Sequence, residues 1–200
     1  MARYERRDHF HQRAKREGVR SRAFYKLEEL QRAHRLMRRG DRVIDLGCWP
    51  GGWLQCAAAV VGSRGRVVGV DLATIEPALG EANAVALVGD LADRTLAVRL
   101  REVLAASRCD VLLSDAAPKL TGIRDADRAR EERLLEAIEA LLPELLREGG
   151  NLLLKILEGP EARAIDRRMR SRFERAKSVR TQVTRKGSSE RYLLGCGFQG

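Results

Sequence analysis

The sequence predicts an α/β fold, a mostly parallel seven-stranded sheet with helices on both faces, on three observations. Short apolar runs alternate with stretches of helical periodicity along most of the chain. Three of these runs close on an aspartate, at Asp71, Asp90 and Asp115. The first run enters a glycine-rich turn, Asp45-Leu46-Gly47-Cys48-Trp49-Pro50-Gly51-Gly52-Trp53. Strand–helix alternation implies βαβ crossovers, and such sheets bind ligands at the carboxyl ends of their strands, where these residues fall.

Residues 1–20 are polar and basic and read as a loosely held N-terminal arm ahead of a single domain over 21–200. A helix is expected from Ser21, as N-cap, with an apolar stripe at Ala23, Leu27, Leu30, His34 and Met37, stopped by Gly40. Residues 42–46 form the first strand and 52–61 the next helix. Strands follow at 66–70, 86–88 and 111–113, with a helix near 94–106 between the last two. A long helix over about 126–147 buries Leu134, Leu135, Ile138, Leu141, Leu142 and Leu145, with a kink expected at Pro143. Gly149-Gly150 ends it, residues 151–157 form a strand, a helix starts near Pro160, and strands near 176–182 and 191–196 complete the sheet.

Composition narrows the function. The 44% hydrophobic and 33% charged content suits a soluble globular protein. No apolar run approaches the roughly 20 residues of a membrane span, and the charged N-terminus lacks a signal-peptide core, so a cytoplasmic protein is expected. Cys48, Cys56, Cys109 and Cys196 form no C-x-x-C pair, and His9, His11 and His34 have no partner cluster; neither a zinc site nor a disulfide framework is expected. The net charge of +10 is uneven. Residues 1–40 carry 13 Lys/Arg against 5 Asp/Glu and residues 161–200 carry 11 against 4, while residues 41–160 carry 14 against 19. Two basic ends would attract a polyanion by counterion release, although 32 Arg could also serve to solvate helices.

The turn after the first strand can approach a ligand closely and present helix N-terminal amides to an anion. Asp71, 18 residues beyond Trp53, can accept from ribose hydroxyls, and Asp90 from an exocyclic adenine amine. Both acids could equally cap the elements that follow them. The turn lacks G-x-G-x-x-G and the Lys-Ser/Thr of a P-loop, which disfavours a nicotinamide-dependent oxidoreductase; S-adenosylmethionine fits better. Lys155 interrupts an apolar strand, where a charge is costly unless paired or at a functional mouth. Spacing alone leaves open whether it is a base or an edge lysine reaching solvent.

The segments Ser21-Arg22-Ala23-Phe24-Tyr25-Lys26-Leu27, Asp45-Leu46-Gly47 through Pro50-Gly51-Gly52-Trp53, Ser114-Asp115-Ala116-Ala117-Pro118, Leu154-Lys155 and Ser189-Glu190-Arg191-Tyr192 resemble the FtsJ/RrmJ family of ribose 2′-O-methyltransferases, in unbroken order from about Asp8 to the C-terminus. The resemblance implies a Rossmann-like, S-adenosylmethionine-dependent methyltransferase fold. It also implies a catalytic tetrad of Lys26, Asp115, Lys155 and Glu190, and a cofactor site of Gly51, Trp53, Asp71, Asp90 and Asp115. Lys155 would be general base, Lys26 would orient the hydroxyl and disfavour a second positive charge at Lys155, Asp115 would position Lys155, and Glu190 would hold the lysines. No metal is implied. The expected substrate is a uridine ribose in 23S ribosomal RNA, within the large ribosomal subunit or its precursor, acted on by a monomer, with S-adenosylhomocysteine as product. A tRNA 2′-O-methyltransferase and a non-catalytic RNA-binding assembly factor are the alternatives. Cys48-Trp49 replace the family's more usual pair of alanines, a departure that bears on substrate choice more than on chemistry.

Overall fold

The computed structural model describes residues 9–118, 121–156, 160–183 and 190–200. The strands are β1 (Arg42–Leu46), β2 (Arg66–Asp71), β3 (Ala84–Val88), β4 (Cys109–Ser114), β5 (Leu146–Ile156), β6 (Phe173–Val179) and β7 (Arg191–Phe198). The helices are α1 (His9–Glu17), α2 (Ala23–His34), α3 (Gly52–Val61), α4 (Leu96–Leu104), α5 (Arg124–Leu145) and α6 (Pro160–Arg170). Leu157 and Ser189, named above as strand and motif residues, lie outside the described residues, as do residues 1–8.

The seven strands form one sheet in the order β3-β2-β1-β4-β5-β7-β6. The pairs among β1 to β5 are parallel, whereas β7 runs antiparallel to both β5 and β6. The chain winds outward from β1 to β3 and then returns to lay β4 on the other side of β1. That reversal opens a crevice at the carboxyl ends of β1 and β4, the place where such sheets take ligands.

Side-chain alternation along the strands produces two cores. Ile44, Val68, Leu112, Leu152 and Leu154 pack with α4, α5 and α6; Val43, Val67, Val111, Leu113, Leu153 and Tyr192 pack with α2 and α3. Lys155 shares parity with Leu153, so the pleat directs it to the α2/α3 face.

Several boundaries differ from expectation. The stretch read as a loose arm contains α1, whose Ala14 is buried with Tyr25 and Val183. Its Glu17 accepts a 2.8 Å hydrogen bond from the Tyr25 hydroxyl. Ser21 does not cap α2: Arg22 holds the N-cap position, and Ser21 instead packs on Gly52, where a Cβ would collide with its hydroxyl. Helix α2 stops at His34, before Gly40, because Arg35 turns left-handed (φ 51°) and the Gln31 side chain bonds both the N–H and the carbonyl of Met37. Helix α5 continues through Pro143 to Leu145, and β5 begins at Leu146, five residues earlier than expected, with a register shift against β4. Strand β6 starts at Phe173, which pairs with Phe198.

Candidate active site

The turn from β1 to α3 is built by close approach. Gly47 (φ 79°) lies so near Ala116 that a Cβ there would meet the Ala116 Cβ and come within 2.9 Å of its Cα. Gly51 (φ 101°) is the N-cap of α3 and leaves no room for a Cβ beneath the Arg20 side chain. The first-turn amides of α3, at Gly52, Trp53 and Leu54, have no carbonyl one turn earlier and form a natural anion cradle.

Asp71 and Asp90 stand at the crevice, and both also serve the turns around them. Asp71 accepts from the amides of Trp49 (2.9 Å) and Ala73 (3.0 Å), and Asp90 from Ala92 (2.9 Å). These bonds bear out the capping reading and leave each carboxylate lone pairs for further donors. The Trp53 side chain turns inward from the crevice turn. Its indole is buried, donates to the Ala23 carbonyl (2.9 Å) and packs 5.8 Å from the Tyr192 ring. A nucleoside-bearing sulfonium with a carboxylate end thus fits the glycine cradle, the free amides and the paired acids.

The four residues of the expected tetrad, dispersed over 164 positions of sequence, converge. Lys26 comes from α2 and is 5% exposed; Lys155 comes from β5 and is 9% exposed. Lys26 Nζ lies 2.6 Å from Glu190 Oε1 and 3.7 Å from Asp115 Oδ2. Lys155 Nζ lies 3.2 Å from Asp115 Oδ1 and donates to the Asp115 carbonyl. Asp115 is therefore the hinge of the group, held by both amines. Of the two lysines it was expected to hold, Glu190 pairs directly with Lys26. Burial on its own would raise the Glu190 carboxyl, but the Lys26 hydrogen bond and charge outweigh it and hold the group below its usual range.

Two residues at this centre were not singled out from sequence. The Tyr192 hydroxyl sits inside the tetrad, 2.9 Å from Asp115 Oδ1, 2.9 Å from Glu190 Oε1 and 3.2 Å from Lys26 Nζ. Burial and the two carboxylates push its phenol upward, so it remains a donor. The available signal was a phenol at the start of a strand, two residues after Glu190, with a hydroxyl that needs a partner when buried. The second is Asp45, 1% exposed, whose carboxylate oxygens have no hydrogen-bond partner among the described residues. Burial first, and then the charges of Asp115 and Asp71, raise its carboxyl well above the ordinary range. A carboxylate inside an apolar strand is the same kind of signal that marked Lys155.

A model of the family described as FtsJ-like methyltransferase matches residues 19–198. The ribosomal RNA large subunit methyltransferase E of Methanothermobacter thermautotrophicus is 41% identical over 97% of this chain and 91% of its own length. Its namesake from Magnetococcus marinus is 40% identical over 96% and 92%. Among solved structures, a ribosomal RNA methyltransferase of Plasmodium falciparum has a TM-score of 0.78 at 24% identity, covering 91% of this chain and all of that one. The fibrillarin of Aeropyrum pernix, with natively bound S-adenosyl-L-methionine, has a TM-score of 0.55 at 15% identity, covering 79% and 67%. Both structural likenesses speak to fold. The chain belongs to the FtsJ-like methyltransferase family and is an S-adenosylmethionine-dependent enzyme with that family's Rossmann-like fold.

Proposed function

We propose that this enzyme methylates a ribose 2′-hydroxyl of large-subunit ribosomal RNA, a uridine in 23S RNA, acting as a cytoplasmic monomer on the ribosomal subunit or its precursor. The observation that carries the reading is the convergence of two buried amines and two carboxylates at the mouth of the cofactor crevice. The relatives' names supply the substrate class. Both basic chain ends, including Arg13, Lys15 and Arg16 of α1, supply an electrostatic footing for a polyanion.

S-Adenosylmethionine, when bound, supplies the electrophilic methyl group and leaves as S-adenosylhomocysteine. The chain's residues prepare the oxygen that receives it. Lys155, in its neutral form, takes the 2′-hydroxyl proton as the new C–O bond forms and later releases it to solvent. Asp115 fixes the Lys155 amine through one carboxylate oxygen and its own carbonyl. Lys26, anchored by Glu190 and Tyr192, orients the hydroxyl. Holding the reacting groups in line contributes about 7–11 kcal/mol in well-aligned intramolecular reactions, and a positioned base about 10²–10⁴ in rate.

Lys155→Ala tests the assignment. With radiolabelled cofactor and ribosomal particles, the folded variant is expected to lose about 10²–10⁴ in kcat with cofactor binding retained. Transfer at the wild-type rate would remove Lys155 as base. Label appearing in tRNA and not in ribosomal RNA would overturn the substrate.

A further inference from the structure

A basic basin lies outside the tetrad, between α6 and the ends of β6 and β7. It is a cavity of about 520 Å³ lined by Arg163, Asp166, Arg167, Ser178, Arg180 and Arg191, four guanidiniums against one carboxylate. The basin has a constructed floor. Asp166 is buried at 6% exposure and is bonded by Arg170 (3.0 Å) and Arg191 (3.3 Å). The Ser178 hydroxyl accepts from the same two arginines, at 2.7 and 3.1 Å. That network consumes the one lining carboxylate. Arg163 and Arg167 stand over it, exposed and one helical turn apart on α6, and make no ion pair among the described residues.

Its position matters as much as its charge. Arg191 pairs with Ile156 at the carboxyl end of β5, beside the Lys155–Tyr192 pair that carries the reaction centre. Alternation sends Arg191 to the opposite sheet face from Tyr192, so basin and tetrad flank the same sheet edge. We propose that this basin binds backbone phosphates of the substrate RNA, gripping the strand within a few nucleotides of the ribose that enters the tetrad. Guanidiniums suit this task because their planar forks match phosphate oxygens. The proposal rests on the RNA reading above and adds where the strand lies.

The test compares R163A/R167A with R64A/R108A, which removes two exposed arginines from the opposite edge of the sheet, ahead of β2 and β4. The probe is a single-stranded ribosomal RNA fragment that wild-type enzyme methylates. R163A/R167A is expected to raise the RNA Kd about tenfold and to reduce the slope of log K against log salt by about 1.4, two contacts at roughly 0.7 each. Turnover at saturating RNA and cofactor affinity stay unchanged. If R163A/R167A matches wild type, or R64A/R108A weakens binding equally, the basin is not a phosphate site, while the methylation reading stands. If wild-type enzyme neither binds nor methylates RNA, both fall together. Should R163A/R167A fail to fold, R163A alone is read, with an expected slope change of about 0.7.

Discussion

Tyr192→Phe isolates the hydroxyl that binds the tetrad together. The substitution keeps the ring, its packing against Trp53 and its complete burial, and removes one oxygen. That oxygen has one proton to donate, shared between Asp115 and Glu190, and accepts from Lys26. Two hydrogen bonds to charged partners vanish, worth about 1.5–3 kcal/mol each. The partners keep each other, through Lys26–Glu190 at 2.6 Å and Lys155–Asp115 at 3.2 Å, which discounts the loss to about 2–3 kcal/mol. For a domain of this length that corresponds to a Tm lower by about 4–12 °C. Catalysis suffers by a separate route. Without the bridge, Asp115 is positioned by the amines alone, and kcat is expected to fall about 10- to 100-fold, or about 1.4–2.7 kcal/mol of barrier, with cofactor Kd unchanged. Calorimetry and single-turnover methyl transfer read the two effects independently. Wild-type values of both Tm and kcat would refute the view that this hydroxyl organises the site.

Two further substitutions address the cofactor crevice. A carboxyl raised by folding, as Asp45 is, favours the folded state while protonated and opposes it once the unfolded group, with a value near the ordinary one, has ionised. Wild-type stability is thus eroded by about 1.4 kcal/mol per pH unit from about pH 4 upward, until the folded carboxyl itself ionises. Asp45→Asn lacks this term, so its Tm relative to wild type should rise as pH increases above about 4; parallel profiles in urea or thermal melts would contradict the assignment. Gly47→Ala combines a left-handed backbone, costing about 1–2 kcal/mol, with a collision against Ala116, costing about 1–3 kcal/mol more. It should lower unfolding free energy by about 2–5 kcal/mol and weaken cofactor binding in calorimetric titration; unchanged values would show that the turn can yield.

Much of this architecture was legible because strand signals were reinforced at both ends. The run at 42–46 is bounded by Gly40 and by the Gly47 turn, and its observed limits match the reading. The limits that moved were those set by tertiary contacts that no local pattern displays. Gln31 ends α2 early by clasping Met37, and Ser21, an ordinary N-cap candidate, is taken up by packing on Gly52. The tetrad divides similarly. Lys155 stood out as a charge in an apolar strand, but only family resemblance drew in Lys26, whose helix presents an unremarkable amphipathic pattern.

Asp45 and Tyr192 show what that division means physically. Each is polar, sits in a strand and occupies the face shared with Lys155, so each carried the cost that made Lys155 noticeable. For Tyr192 the cost is met by three partners supplied from α2, the end of β4 and the approach to β7. For Asp45 no hydrogen-bond partner is present among the described residues, and raised protonation lowers the cost of burial. One polar insertion is thus resolved by convergence of the chain on itself and the other by neutralisation. Which route a buried group takes depends on what the crossovers bring beside it: strands predicted one at a time reveal the cost but not its resolution.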